Sequence, residues 1–154
     1  MTKNIQVSSA IIIIGNEILS GRTKDINTST IATWLNQLGV RVQEVRVIPD
    51  VEAIIVSTIN KLRKKYSYVF TTGGIGPTHD DITAQSISKA FGVKYGIHKE
   101  AYKILEDYYK KSEFNEGRKK MAKLPSKSKL IYNPSSGAPG FIVENVFLII
   151  LKIN

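Results

Sequence analysis

Five apolar residues in a row, Ala10-Ile11-Ile12-Ile13-Ile14, run straight into Gly15. A run with no polar alternation has no face to offer water, so it reads as a strand buried on both sides, inside a parallel sheet covered by helices. Ile26–Leu38 then places Ile31, Trp34, Leu35 and Leu38 on one helical stripe and stops at Gly39. Val40–Pro49 alternates at Val40 and Val42 and shifts phase to Val45 and Val47, which predicts a bulge or a strong twist. Asp50 stands where it can cap a helix carrying Val51, Ile55, Ile59 and Leu62 at 3–4 spacing. Tyr66–Thr72 reads as another buried strand, running into Gly73, Gly74 and Gly76. Repeated β-to-α alternation predicts an open parallel sheet with helices packed on it, an α/β fold.

Thr83–Phe91 reads as a helix closed by Gly92, and Lys99–Glu113 as a longer one with Ala101, Ile104, Leu105 and Tyr108 on its apolar face. Arg118–Leu124 reads as further helical turns stopped by Pro125. Leu130–Tyr132, a loop over Asn133–Gly140 and the apolar strands Phe141–Glu144 and Val146–Leu151 finish the chain.

The 154 residues suit a single domain, 1–154, and 42% hydrophobic against 23% charged residues is the composition of an ordinary soluble protein. The longest apolar runs fall far short of the roughly 20 residues that span a bilayer. Met1–Ser9 has no positive segment before the apolar run, so no secretory signal is expected. The chain has no cysteine, which removes disulfides, thiolate metal sites and cysteine nucleophiles and fits a reducing cytoplasm. The net charge of +9 lies wholly in residues 61–154. An acidic partner would suit it, but the basic residues are mostly Lys without interleaved Arg and aromatics. The clusters at 61–65 and 119–129 therefore read as solvated faces in preference to a nucleic-acid surface.

In open α/β sheets, ligands bind beyond the carboxyl ends of the strands. The first strand delivers Gly15, Asn16 and Glu17 there, the second Asp50, and the third Thr72, Gly73, Gly74, Ile75, Gly76, Pro77, Thr78, His79, Asp80 and Asp81. Glycines between a buried strand and a helix let backbone N–H groups approach a phosphate, and the helix dipole adds to the attraction. Glu17, Asp50, Asp80 and Asp81 on the same edge would repel one another and the phosphate unless a hard cation lay between them; Mg²⁺ is the natural candidate. Plainer roles stand beside these. Asp50, Asp80, Asp81 and Thr83 can each cap a helix, and His79 and His98 read as loop or cap residues. There is no Gly-x-Ser-x-Gly elbow and no Gly-Lys-Ser/Thr phosphate loop.

Taken together, Gly15-Asn16-Glu17-Ile18-Leu19 with Gly21 and Asn27, Pro49-Asp50, and Thr72-Gly73-Gly74-Ile75-Gly76-Pro77-Thr78-His79-Asp80-Asp81-Ile82-Thr83 resemble the MoaB/Mog molybdopterin-binding domain. The doubled acid after Gly-Pro-Thr resembles its CinA-like branch, named for the competence/damage-inducible protein A. The resemblance runs from about Ala10 to Phe147. It implies a three-layer α/β/α fold with a mostly parallel sheet and a β-hairpin near the end, and a homo-oligomer, trimer or dimer. It also implies a small-molecule ligand, molybdopterin or an adenine nucleotide, bound with Mg²⁺ or another divalent metal. Three activities follow from it as alternatives: cleavage of ADP-ribose-type pyrophosphates, adenylylation of molybdopterin, or binding and assembly without turnover.

By the same resemblance Asp50 and Asp81 are the catalytic acids, and Glu17, Asp50 and Asp81 jointly hold the metal, with Asp80 behind them. Gly15, Asn16, Thr72–Thr78 and the loop Ser135, Ser136, Gly137, Ala138, Pro139 and Gly140 contact the ligand. The family's loop before its hairpin carries glycine where Ser136 stands here. After Phe147 the family continues into a proline-bearing loop and a closing helix, so this chain is expected to lack that loop and helix. Val146–Leu151 would then keep an exposed apolar face unless a subunit covers it.

Overall fold

The computed structural model describes residues 6–135 and 137–151. The apolar run is strand β1 (Ser8–Ile14), and Ala10–Ile14 are each at most 2% exposed. It lies between β2 (Arg41–Ile48) and β3 (Tyr68–Thr72), parallel to both. Beyond β3 comes β8 (Val146–Leu148), also parallel, followed by β7 (Gly140–Val143) and β6 (Lys129–Ile131), which are antiparallel to their neighbours. The sheet order is β2-β1-β3-β8-β7-β6. The expected bulge is present: the β1–β2 register jumps from Ser9↔Val42 to Ala10↔Glu44, leaving Gln43 as the extra residue.

Alternate residues of β1 feed two cores. Ala10, Ile12 and Ile14 pack with Ile55, Ile59 and Leu62 of α3 (Glu52–Lys65), Ile87 of α4 (Thr83–Phe91) and Leu105 of α5 (Lys99–Tyr108). Ile11 and Ile13 pack on the other face with Phe70 and with Ile31 and Leu35 of α2 (Asn27–Gln37). Helices therefore cover both faces, which gives three layers. Each fully buried Ile contributes on the order of 2 kcal/mol of apolar transfer, so β1 anchors both cores and fixes the height of the loop at its end.

Three readings are corrected. Trp34 and Leu38 are 49% and 61% exposed, so the α2 stripe is narrower than the spacing suggests. Among the described residues α2 is the one long helix on this face, and Trp34 stands at the rim of an apolar groove of about 430 Å³ with Ile142, Phe147, Ile149 and Leu151. The last strand ends at Leu148, not Leu151. The third correction lies at 118–125, where α6 (Glu116–Lys120) gives way to a short strand, β5 (Lys123–Pro125). This strand pairs with β4 (Tyr95–Ile97), which the sequence patterns did not reveal. Pro125 sits at the end of a two-stranded ribbon, where its missing N–H costs nothing. Among the described residues no helix is long and apolar enough to cross a membrane.

Candidate functional site

The carboxyl end of β1 turns at Gly15, whose N–H donates to Ile48 O at 3.0 Å and so fastens the first loop to the end of β2. The short helix α1 (Asn16–Leu19) begins there. Asp50 follows β2 but does not cap α3; that helix starts after Val51 without a side-chain cap. Instead Asp50 Oδ2 accepts from Asn16 N–H at 3.1 Å, and Asp50 N–H donates back to Asn16 Oδ1 at 3.3 Å. The other carboxylate oxygen lies beside Gly74, 3.2 Å from where a Cβ would stand. The first two loops thus lock each other, and Asp50 reaches toward the third.

The third loop leaves β3 at Thr72. Gly73 has φ +100°, and a Cβ there would sit 2.0 Å from Ile14 O, so only glycine lets the chain pass this close to β1. Thr83, the first residue of α4, ties the turn from the far side: its hydroxyl donates to Gly73 O at 2.8 Å and its N–H to Gly74 O at 3.0 Å. Asp81 closes the loop on itself. Its Oδ2 accepts from Thr78 N–H at 3.0 Å and Thr78 Oγ1 at 2.8 Å. Neither Asp80, Asp81 nor Thr83 caps α4. His98 does cap α5, its Nδ1 accepting from Ala101 N–H, and His79 is an exposed loop residue paired with Asp80.

The carboxylates feel one another. Burial, together with the charges of Glu17, Asp81 and Asp80, holds the Asp50 carboxyl above its usual range, with the Asn16 N–H opposing the shift. Yet Glu17, Asp50 and Asp81 do not close into a cage: among the described residues no three acidic or histidine side chains are grouped to hold a metal. Asp50 and Asp81 each keep one oxygen outside the hydrogen bonds just described, which suits Mg²⁺ arriving with phosphate oxygens and its own waters.

The expected ligand residues divide between two cavities. Gly74, Ile75, Gly76 and Asp81 line a narrow one of about 20 Å³ together with Ala138 and Pro139, space for little more than one water. Glu17, Thr72, Gly73 and Asn27 line a wider one of about 250 Å³ on the other side of the loop. Pro77 and Thr78 are exposed on the loop, Ser135 is exposed on its own, and Ser136 lies outside the described residues. Gly137 and Gly140 are buried, the former beneath the Tyr108 ring, and so hold residues 137–140 in place.

Sequence reading did not foresee that residues 93–125 supply the narrow cavity's remaining polar groups, Tyr95, Lys120 and Lys123. Burial pushes the Tyr95 phenol up, so it lines the cavity as a neutral hydroxyl. Lys120 belongs to the cluster read as a solvated face, but its ammonium points inward and donates to Thr78 O and, at 2.9 Å, to Asp81 O. Five lysines between 119 and 129 carry no signal of which one turns in.

Residues 10–151 match the model of a family described as a probable molybdopterin-binding domain. A protein of Archaeoglobus fulgidus is 41% identical over 136 residues, covering 88% of this chain and 58% of that protein. The chain spans little more than half the length of such relatives, one from Sulfolobus acidocaldarius included. Among solved structures, CinA from Thermoplasma acidophilum, whose function is unknown, superposes with a TM-score of 0.84 at 30% identity, covering 92% of this chain and 86% of that one. A tungsten cofactor synthesizing protein, MoaB from Pyrococcus furiosus, superposes at 0.56 with 17% identity over 95% and 82%, and shares the fold. The glycine-rich loop, the flanking acids and these likenesses agree: the chain belongs to the MoaB/Mog molybdopterin-binding domain family, in its CinA-like branch.

Proposed function

We propose that the site binds the pyrophosphate of a nucleotide or pterin together with Mg²⁺ or another divalent ion, and that it hydrolyses ADP-ribose-type pyrophosphates. The observation that carries this reading is the placement of Asp50. A carboxylate that leaves the helix beside it, bonds to the first loop and stands against Gly74 of the third, among three other acids, is costly unless a cation offsets it. The loop itself offers glycine backbone to phosphate oxygens, as phosphate sites do.

Asp50 and Asp81 would hold the metal, which when bound polarises the phosphoryl oxygens and offsets their developing charge. The cavity beside Glu17 and Thr72 takes the bulk of the ligand, because the narrow one does not have the volume. Water adds to one phosphorus, the bridging P–O bond breaks, and ADP-ribose yields AMP and ribose 5-phosphate. An acid of the set orients the attacking water and takes its proton. The lack of cysteine agrees with a reducing cytoplasm as the setting.

The test is turnover of ADP-ribose, FAD and ATP by the purified chain with Mg²⁺, beside Asp81→Asn. The expected result is metal-dependent cleavage of ADP-ribose that falls at least about a hundredfold in the variant, the scale of a lost acid–base group. A folded protein that binds ADP-ribose without cleaving it overturns the hydrolase reading. It leaves a binding module, or an adenylyl transferase that needs molybdopterin as its acceptor.

A further inference from the structure

The excursion 93–125 meets the glycine-rich loop at two points. Gly117 approaches so closely that a Cβ would lie 3.0 Å from Pro77 O, and three residues later Lys120 sends its ammonium onto the carbonyls of Thr78 and Asp81. Asn115 fixes α6 in place by accepting from Arg118 N–H at 3.0 Å. Among the described residues Lys120 makes no ion pair with a carboxylate, whereas the adjacent Lys119 pairs with Glu116 at 3.1 Å. Its charge is therefore not cancelled by a carboxylate of its own, and it lines the same cavity as Gly74, Gly76 and Asp81.

We propose that Lys120 is the positioning residue of this site. It clamps the two ends of the Thr78–Asp81 turn, keeps the Asp81 carboxylate at the mouth of the loop, and adds the positive field that a bound pyrophosphate meets. The proposal rests on the pyrophosphate reading above, but the clamp itself is a property of the protein without ligand. An ammonium bonded to two carbonyls in a half-buried place is worth more than a solvated one, since charge-assisted bonds are stronger and less screened there. Local bonds alone, Thr78 to Asp81, close the turn but do not tie it to the rest of the molecule.

The test compares the wild-type chain with Lys120→Met, Lys120→Gln, Lys120→Arg and Asp81→Asn in two measurements. The first is amide hydrogen exchange without ligand. Lys120→Met is expected to speed exchange about tenfold at 78–82, the scale of one lost charge-assisted bond, and to leave β1 and α3 unchanged. The second is the affinity for inorganic pyrophosphate with Mg²⁺, expected to weaken about tenfold in Lys120→Met and to recover largely in Lys120→Arg. If Lys120→Met does not fold, Lys120→Gln serves in its place. Unchanged exchange at 78–82, or exchange that rises across the whole protein, overturns the clamp. Unchanged affinity for pyrophosphate in a variant whose loop has loosened overturns the positioning role. Wild-type protein that fails to bind pyrophosphate overturns the reading of the site, while a localised rise in exchange in Lys120→Met still upholds the clamp.

Discussion

Two segments roof the carboxyl ends of the strands, and they are held by opposite means. Residues 72–83 are bonded to themselves and to the strand directly below: Asp81 to Thr78, Thr83 to Gly73, and Gly73 pressed against Ile14. Residues 93–125 form a long excursion whose shape comes from a β4–β5 ribbon and two helix caps, and which meets the loop through Gly117 and Lys120. The glycine-rich loop is determined by neighbours in sequence; its lysine brace comes from about forty residues away. A locally written loop stays formed when its surroundings change, whereas a remote brace can be altered without unfolding it.

Gly73→Ala is expected to give the largest effect on the first segment. The substitution combines a left-handed backbone with a contact no Cβ can make, so it is expected to cost about 3 kcal/mol or more in urea unfolding. A loss well under 1 kcal/mol would show that the loop is not pinned to β1. Thr83→Val comes next, at about 1–2 kcal/mol, because it removes the hydroxyl donor to Gly73 O and leaves that carbonyl short of a partner.

On the second segment the effects are smaller. His98→Ala is expected to cost about 1 kcal/mol through the lost cap on α5, with ligand affinity nearly unchanged. An equal loss of affinity would mean that the two segments are one cooperative unit and would erase the contrast between them.

The smallest effect, and the sharpest for the acids, is Asp50→Asn. The folded-state pKa of Asp50 is raised, so the native protein holds this proton more tightly than the unfolded chain does. Stability from this group is complete below its ordinary value of 3.8 and falls as pH rises through the raised value. Asp50→Asn is expected to flatten that part of the pH profile and raise Tm at neutral pH by on the order of 1 °C, while abolishing metal-dependent binding. A lower Tm in Asp50→Asn, with the slope intact, would place the raised pKa elsewhere.

The same contrast explains what the sequence reveals. β1 is legible because five apolar residues leave no face for water, and the β2 bulge because valines change phase at Gln43. α4 is legible from Thr83 to Gly92, whose φ of +65° ends the helix. The acids and glycines of the site declare themselves because each follows the carboxyl end of a strand, most within four residues and Asp80 and Asp81 at the far end of the third loop. Asp50 is legible only as a candidate: a capping position and a ligand position look alike until the side chain is seen to turn to Asn16. The ribbon of Tyr95–Ile97 and Lys123–Pro125 is too short to show a period, and its pairing partner lies across two helices. Trp34 misleads because its spacing fits the buried stripe, while the sheet beneath it is left open as a groove. Lys120 is hidden among like residues, since identity alone does not say which lysine faces in.

Ligand binding at the glycine-rich loop is tested most directly by the backbone amide spectrum of the isotope-labelled chain, titrated with ADP-ribose in the presence and absence of Mg²⁺. The amides of Gly73, Gly74, Gly76 and Thr78, with Asn16, are expected to move first and furthest, and Mg²⁺ to enlarge their shifts. Shifts confined to the basic surface of α6, insensitive to Mg²⁺ and lost with added salt, would contradict this and turn the glycine-rich loop into structure without a ligand.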